Sequence, residues 1–192
     1  VQICEHLPKL SQQWHRFAQV RSVHHHVNDH NAGAYYALTG HSPTEGGKLV
    51  VAESPKNMPP FGAALAKMHP DQRALPAFVH IPEIMSNNGH DIPGERAGLL
   101  GPRFDPFVTG DPSLPNYRVP GLSPSPDLSI ERLRDRAALA RELDGSPDSR
   151  ANEFRQKALR MIAAPEVARA FDLSLEPRRV RERYGVDAGS NR

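Results

Sequence analysis

Apolar residues recur at helical spacing in several stretches, with short apolar runs between them. Ile3, Leu7, Leu10, Trp14 and Phe17 predict an amphipathic helix over residues 3–17, with Pro8 confining its start to a first turn. Ala18 to Val23 mixes apolar and β-branched residues and predicts a partly buried strand. After a polar loop, Asn28 or Asp29 can cap a helix with Ala34, Ala37 and Leu38 on one face and Gly40 as its left-handed stop. Leu49 to Val51 is a short apolar segment, Phe61 to Met68 a short helix stopped by Pro70, and Ala77 to Ile81 a second strand bounded by Pro76 and Pro82. Helices return at Ser129, where Ile130, Leu133, Ala137 and Ala140 mark one stripe. Ser146-Pro147-Asp148 signals a start for a helix lined by Phe154, Ala158, Met161 and Ile162 up to Pro165. A last helix runs over residues 177–184 with Gly185 as its stop. Helices alternating with short strands predict an α/β fold rather than a bundle or a β-sandwich.

Between Pro82 and Pro126 neither period is sustained, and 15 of the 19 prolines lie between Pro43 and Pro126. A loop this long is either a lid or binding loop, or a surface wrap rich in proline and glycine. The organisation expected is an α/β core segment over residues 1–82, a loop insertion over 83–128 and a helical segment over 129–186.

Composition narrows the function classes. The 24 basic and 22 acidic residues leave a net charge of +2, too balanced to imply nucleic acid or an anionic membrane. The carboxy-terminal arginines are interleaved with acids and few aromatics, as on a solvated helical face. A single cysteine, Cys4, excludes an internal disulfide framework and a thiolate zinc site; it is expected as a small buried hydrophobe. No apolar run approaches the roughly 20 residues of a membrane span. Val1 in place of methionine suggests a piece of a longer protein.

The densest candidate chemistry is Arg21 to Pro43, which holds five of the ten histidines between a strand's carboxyl end and a helix's amino end. In open α/β sheets ligands bind there, and exposed N–H groups favour anions. Imidazole and carboxylate suit zinc and similar ions, but His24 and His26 should face one way and His25 the other. Asp29 is a cap candidate as well as a catalytic and metal-ligand candidate beside His30. His30, in the first helical turn, is placed to stabilise developing negative charge or transfer a proton. Asn28, His26, His41 and His90 are candidates for binding the anion or substrate, His90 from the long loop. His80 reads as a satisfied core histidine. No phosphate-cradling glycine loop, G-x-S-x-G elbow or Ser/His/Asp signature is present.

Leu38-Thr39-Gly40-His41-Ser42-Pro43 resembles the Leu-Thr-Gly-Arg-x-Pro segment that closes the nucleophile helix of sulfatases and other alkaline-phosphatase superfamily enzymes. The wider pattern is similar to a sulfatase-like family classed as a domain of unknown function. It includes Val20 to His24, Asn28 to His30, Leu75 to His80, Pro93 to Gly101, Phe104 to Phe107, Ala170 to Ser174 and Arg183 to Gly185, and so spans nearly the whole chain. The resemblance implies the middle part of a sandwich with a mainly parallel sheet flanked by helices. It also implies hydrolysis of a small anionic or sulfated ester, a divalent metal (zinc or calcium), and export to the periplasm or cell exterior. The first metal-binding aspartate would precede Val1 and further Asp/His ligands would follow Arg192, so Asp29 and His30 would supply part of the metal site and this piece alone is expected to be inactive. In sulfatases a Cys or Ser nucleophile lies ten residues before the glycine; here that place is His30, and the two arginines expected nearby are Ala34 and His41. The alternative is a non-catalytic anion- or glycan-binding or assembly module with the same fold.

Overall fold

The computed structural model describes residues 3–69, 74–114, 116–119, 121–122, 129–143 and 150–185. It is of mixed α/β character, with seven α-helices and three two-stranded ladders among these residues. The helices are α1 (Pro8–Gln12), α2 (His30–Thr39), α3 (Phe61–Met68), α4 (Ile130–Leu143), α5 (Arg150–Ala163), α6 (Pro165–Ala170) and α7 (Arg178–Arg183). β1 (Thr44–Glu45) and β2 (Lys48–Leu49) form one hairpin, and β4 (Ser86–Asn87) and β5 (His90–Asp91) another. β3 (Val79–His80) pairs in parallel with β6 (Phe107–Val108), in the register Val79 to Phe107 and His80 to Val108.

The amino-terminal expectations fail. The helix over residues 3–17 breaks into α1, opened by Pro8, and a 3-10 turn over Trp14–Arg16. Leu7, Leu10 and Phe17 are all exposed, and so is Cys4, which is not the buried hydrophobe expected of it. Ala18 to Val23 has no ladder partner among the described residues and is not a strand; Val20 and Val23 are 69% and 81% exposed.

α2 matches its predicted bounds, with Asp29 extended ahead of it and Gly40 left-handed at φ 70° behind it. Its buried face is different from the one expected: Ala32, Tyr35 and Thr39 are buried, whereas Ala37 is exposed and Ala34 and Leu38 are half-buried. α3 has its predicted bounds as well, while Pro70 and the Ser146-Pro147-Asp148 start signal lie outside the described residues. Past Pro165 the chain does not simply stop: the proline opens α6, where its missing N–H costs nothing, and Val167 is fully buried.

The segment after Pro82 is structured rather than featureless. It carries the β4–β5 hairpin, 3-10 turns over Gly98–Leu100 and Pro102–Phe104, and β6. Buried Pro93, Gly94, Glu95 and Ala97 insert it into the molecule against α2 and the turn before α3. Gly94 faces Tyr35 and Thr39 of α2, where an added Cβ would stand 3.0 Å from the Thr39 methyl. Tyr35 Oη accepts from Met58 N (3.0 Å), and Asn57 O accepts from Leu99 N (2.9 Å). Residues 93–98 thus pack against α2 and the turn before α3.

Candidate functional site

The amino end of α2 is built locally. Asp29 Oδ1 accepts from Ala32 N at 2.9 Å and satisfies one of the first-turn donors that a helix cannot satisfy itself. His30 then opens the helix with its side chain exposed. Asn31 is committed on both sides: its Nδ2 donates to Val51 O (2.7 Å) and its Oδ1 accepts from Asn87 Nδ2 (2.9 Å). Asn87 lies opposite His90 in the β4–β5 register. The Asn31–Asn87 bond thus ties the hairpin that carries His90 to the first turn of α2.

The other predicted residues fall into place unevenly. His24 and His26 do share a side, with rings 5.6 Å apart edge to face, while His25 turns to Tyr36 of α2 with ring centroids 6.2 Å apart. Their hydrogen bonds are local: His24 Nδ1 lies 3.1 Å from Ser22 O, and His25 Nδ1 accepts from Val27 N. Asn28 is exposed and is not the cap. His41 follows Gly40 at the far end of α2, about 15 Å along the axis from His30 at 1.5 Å per residue. Its side chain does not converge with the others.

No group of three or more His, Cys, Asp or Glu side chains that could hold a metal ion occurs among the described residues. Asp29 spends one carboxylate oxygen on the cap, and His30 is its immediate neighbour, so the two offer part of a coordination sphere and not a closed four-ligand site. What this end of α2 can do on its own is bind an anion through first-turn N–H groups and exchange a proton through an imidazole.

A second cluster was not anticipated. Glu95 is 2% exposed; its Oε2 accepts from Met85 N (2.7 Å) and lies 3.9 Å from His80 Nε2. Its Oε1 is buried without a hydrogen-bond partner among the described residues. Glu53, half-buried, accepts from Gly94 N (3.2 Å), and Arg96 pairs with Asp91 at 2.9 Å. Burial holds both the Glu95 and Glu53 carboxyls above the usual range, against the opposing pull of the Met85 and Gly94 amides respectively. The hydrogen bond from Arg96 to Asp91 holds its guanidinium above its usual value. His80, half-buried in β3, thus lies beside a buried carboxyl. The signal that could have found this cluster is Pro-Gly-Glu-Arg-Ala-Gly: glycines at 94 and 98, both with positive φ, bracket an acid that the chain carries inward.

A family model described as protein of unknown function (DUF1501) matches residues 1–192. The chain belongs to the DUF1501 family. No curated protein and no solved structure matches it. Membership covers both clusters of this DUF1501 chain, the α2 end and the Glu95 segment, and assigns a role to neither.

Proposed function

We propose that this chain forms the anion-recognising part of a sulfatase- or phosphatase-type hydrolase acting on a sulfate or phosphate ester, within a superfamily-type sandwich. The observation supporting it is the capped amino end of α2, with exposed His30 in its first turn and the β4–β5 hairpin tied to it through Asn31 and Asn87. Asp29 fixes the helix start and Asn31 holds the hairpin in place. The first-turn N–H groups face the ester's oxygens, and His30, exposed at the position where the sulfatases it resembles carry a nucleophile, takes the phosphoryl or sulfuryl group as the ester's alcohol leaves, or passes a proton to that alcohol. His90 closes over the bound anion, and His26 and Asn28 line its approach. A divalent metal, zinc or calcium, would neutralise charge on the ester when bound; Asp29 and His30 could supply only part of its ligands.

A second reading is a non-catalytic module that binds anions or glycans. It is favoured by the engagement of Asp29 in the cap and by the absence of a serine or cysteine at position 30. The two separate in one experiment on the full-length protein, assayed with p-nitrophenyl sulfate and p-nitrophenyl phosphate in the presence of zinc or calcium. Hydrolysis that falls at least about a hundredfold in His30→Ala, in line with the loss of a proton-transferring group, supports the enzyme. A loss below about tenfold removes His30 from the chemistry. No turnover, with sulfate binding that depends on His30, establishes the binding module.

A further inference from the structure

We propose that a cavity of about 420 Å3 between α3, the run into β3, residues 102–107 and α5 binds a small aromatic anion, a flat apolar body carrying a carboxylate or sulfonate. It shares no residue with the α2 end and stands independently of the hydrolase reading. The volume falls in the range of roughly 300–1,000 Å3 typical of small-molecule sites.

Its walls are aromatic and braced from behind. Phe78, Phe104, Phe107 and Met161 line it together with proline rings. The Phe78 ring fills the space above Gly62, where any Cβ would collide with it. Phe107 packs on Phe171 with ring centroids 5.6 Å apart. Flat faces of this kind pair with aromatic ligands by stacking or edge contact, a geometry that a flexible acyl chain uses poorly.

Its rim is cationic. Lys67, Arg103 and Lys157 stand against one acid, Asp105, whose Oδ1 is turned to the Ala97 amide at 2.7 Å. The Arg103 guanidinium already lies over the Phe104 ring, 5.7 Å from its centre, so charge and aromatic surface meet within the site. Lys67, exposed on the last turn of α3, has no ion pair among the described residues and is the group assigned to the ligand's anionic end. An apolar body beside the Lys67 ammonium discriminates against a neutral ligand of the same shape, because only the anion pairs with that charge.

The test is calorimetric titration of the full-length protein with naphthoate, beside naphthylmethanol as its uncharged counterpart and octanoate as a non-aromatic carboxylate. Saturable naphthoate binding about tenfold or more tighter than either comparator is expected. Lys67→Glu should weaken naphthoate about tenfold and leave naphthylmethanol unchanged. Ala77→Trp, at an exposed lining position, should fill the cavity and abolish binding of both. Both variants change exposed side chains, and unchanged thermal melts would confirm that they fold. No saturable naphthoate binding, equal affinity for either comparator, or naphthoate binding unchanged in either variant overturns the proposal.

Discussion

Glu95 shows how a single side chain can be well placed and costly at once. Its Oε2 is held by the Met85 amide, its Oε1 meets no donor among the described residues, and burial makes its charged form expensive. A carboxyl held above its usual 4.5 costs more to ionise in the folded chain than in the unfolded one. The stability it confers is therefore complete below about pH 4.5 and is lost as pH rises through the raised value. Glu53 acts in the same direction. Glu95→Gln keeps an acceptor for Met85 and removes the ionisation, so its thermal melts from pH 4.5 upward should fall less steeply than those of the native protein. Parallel profiles would mean that the Glu95 carboxyl ionises without penalty. The two glycines that bracket the acid are its only local sign in the sequence, because a proline-rich stretch has no hydrophobic period to read. Asp29, in contrast, was legible as a cap because a short acceptor ahead of a helix acts on an amide three residues away.

Helix α2 is the element in which local and tertiary control separate most clearly. Its bounds follow from neighbours in sequence, Asp29 at one end and left-handed Gly40 at the other. Replacing Asp29 by alanine should cost about 1 kcal/mol of stability, and by asparagine much less, measured by denaturant unfolding. Equal losses would show that the carboxylate's charge, not its acceptor oxygen, matters. The face that α2 buries, Ala32, Tyr35 and Thr39, is not the Ala34, Ala37 and Leu38 stripe. In an alanine-rich helix small residues on several sides make competing stripes, and Tyr35 was decided by a distant partner, the Met58 amide. Thr39, polar in the sequence, is buried because its hydroxyl returns to Tyr35 O at 2.7 Å. The failed helix over residues 3–17 teaches the complementary lesson, since an apolar stripe forms a long helix in water mainly when a surface covers it.

At the scale of the whole molecule, the segment over residues 93–101 ties α2 to the turn before α3. Gly98, at φ 50°, brings its backbone against Asn57, and an added Cβ would run into the Asn57 carbonyl oxygen. Gly98→Ala should therefore cost at least about 2 kcal/mol, from strain at positive φ and from overpacking. A melting temperature within a degree or two of the native protein would show that the tie can shift without loss. The same threading carries the β4–β5 hairpin to α2, where Asn87 bonds Asn31. It leaves His41 at the opposite end of the helix.

The sequence by itself determined the mixed α/β character, the ends of α2 and α3, the helical carboxy-terminal part and the alternation of His24, His25 and His26. Each of these rests on caps, stops or periodicity that act over a few residues. Tertiary structure alone decided the buried face of α2, the parallel pairing of Val79–His80 with Phe107–Val108, the burial of Glu95 beside His80 and the aromatic cavity under α5. These depend on contacts between segments tens of residues apart, whose geometry is set by packing and by where a buried polar group finds its partner.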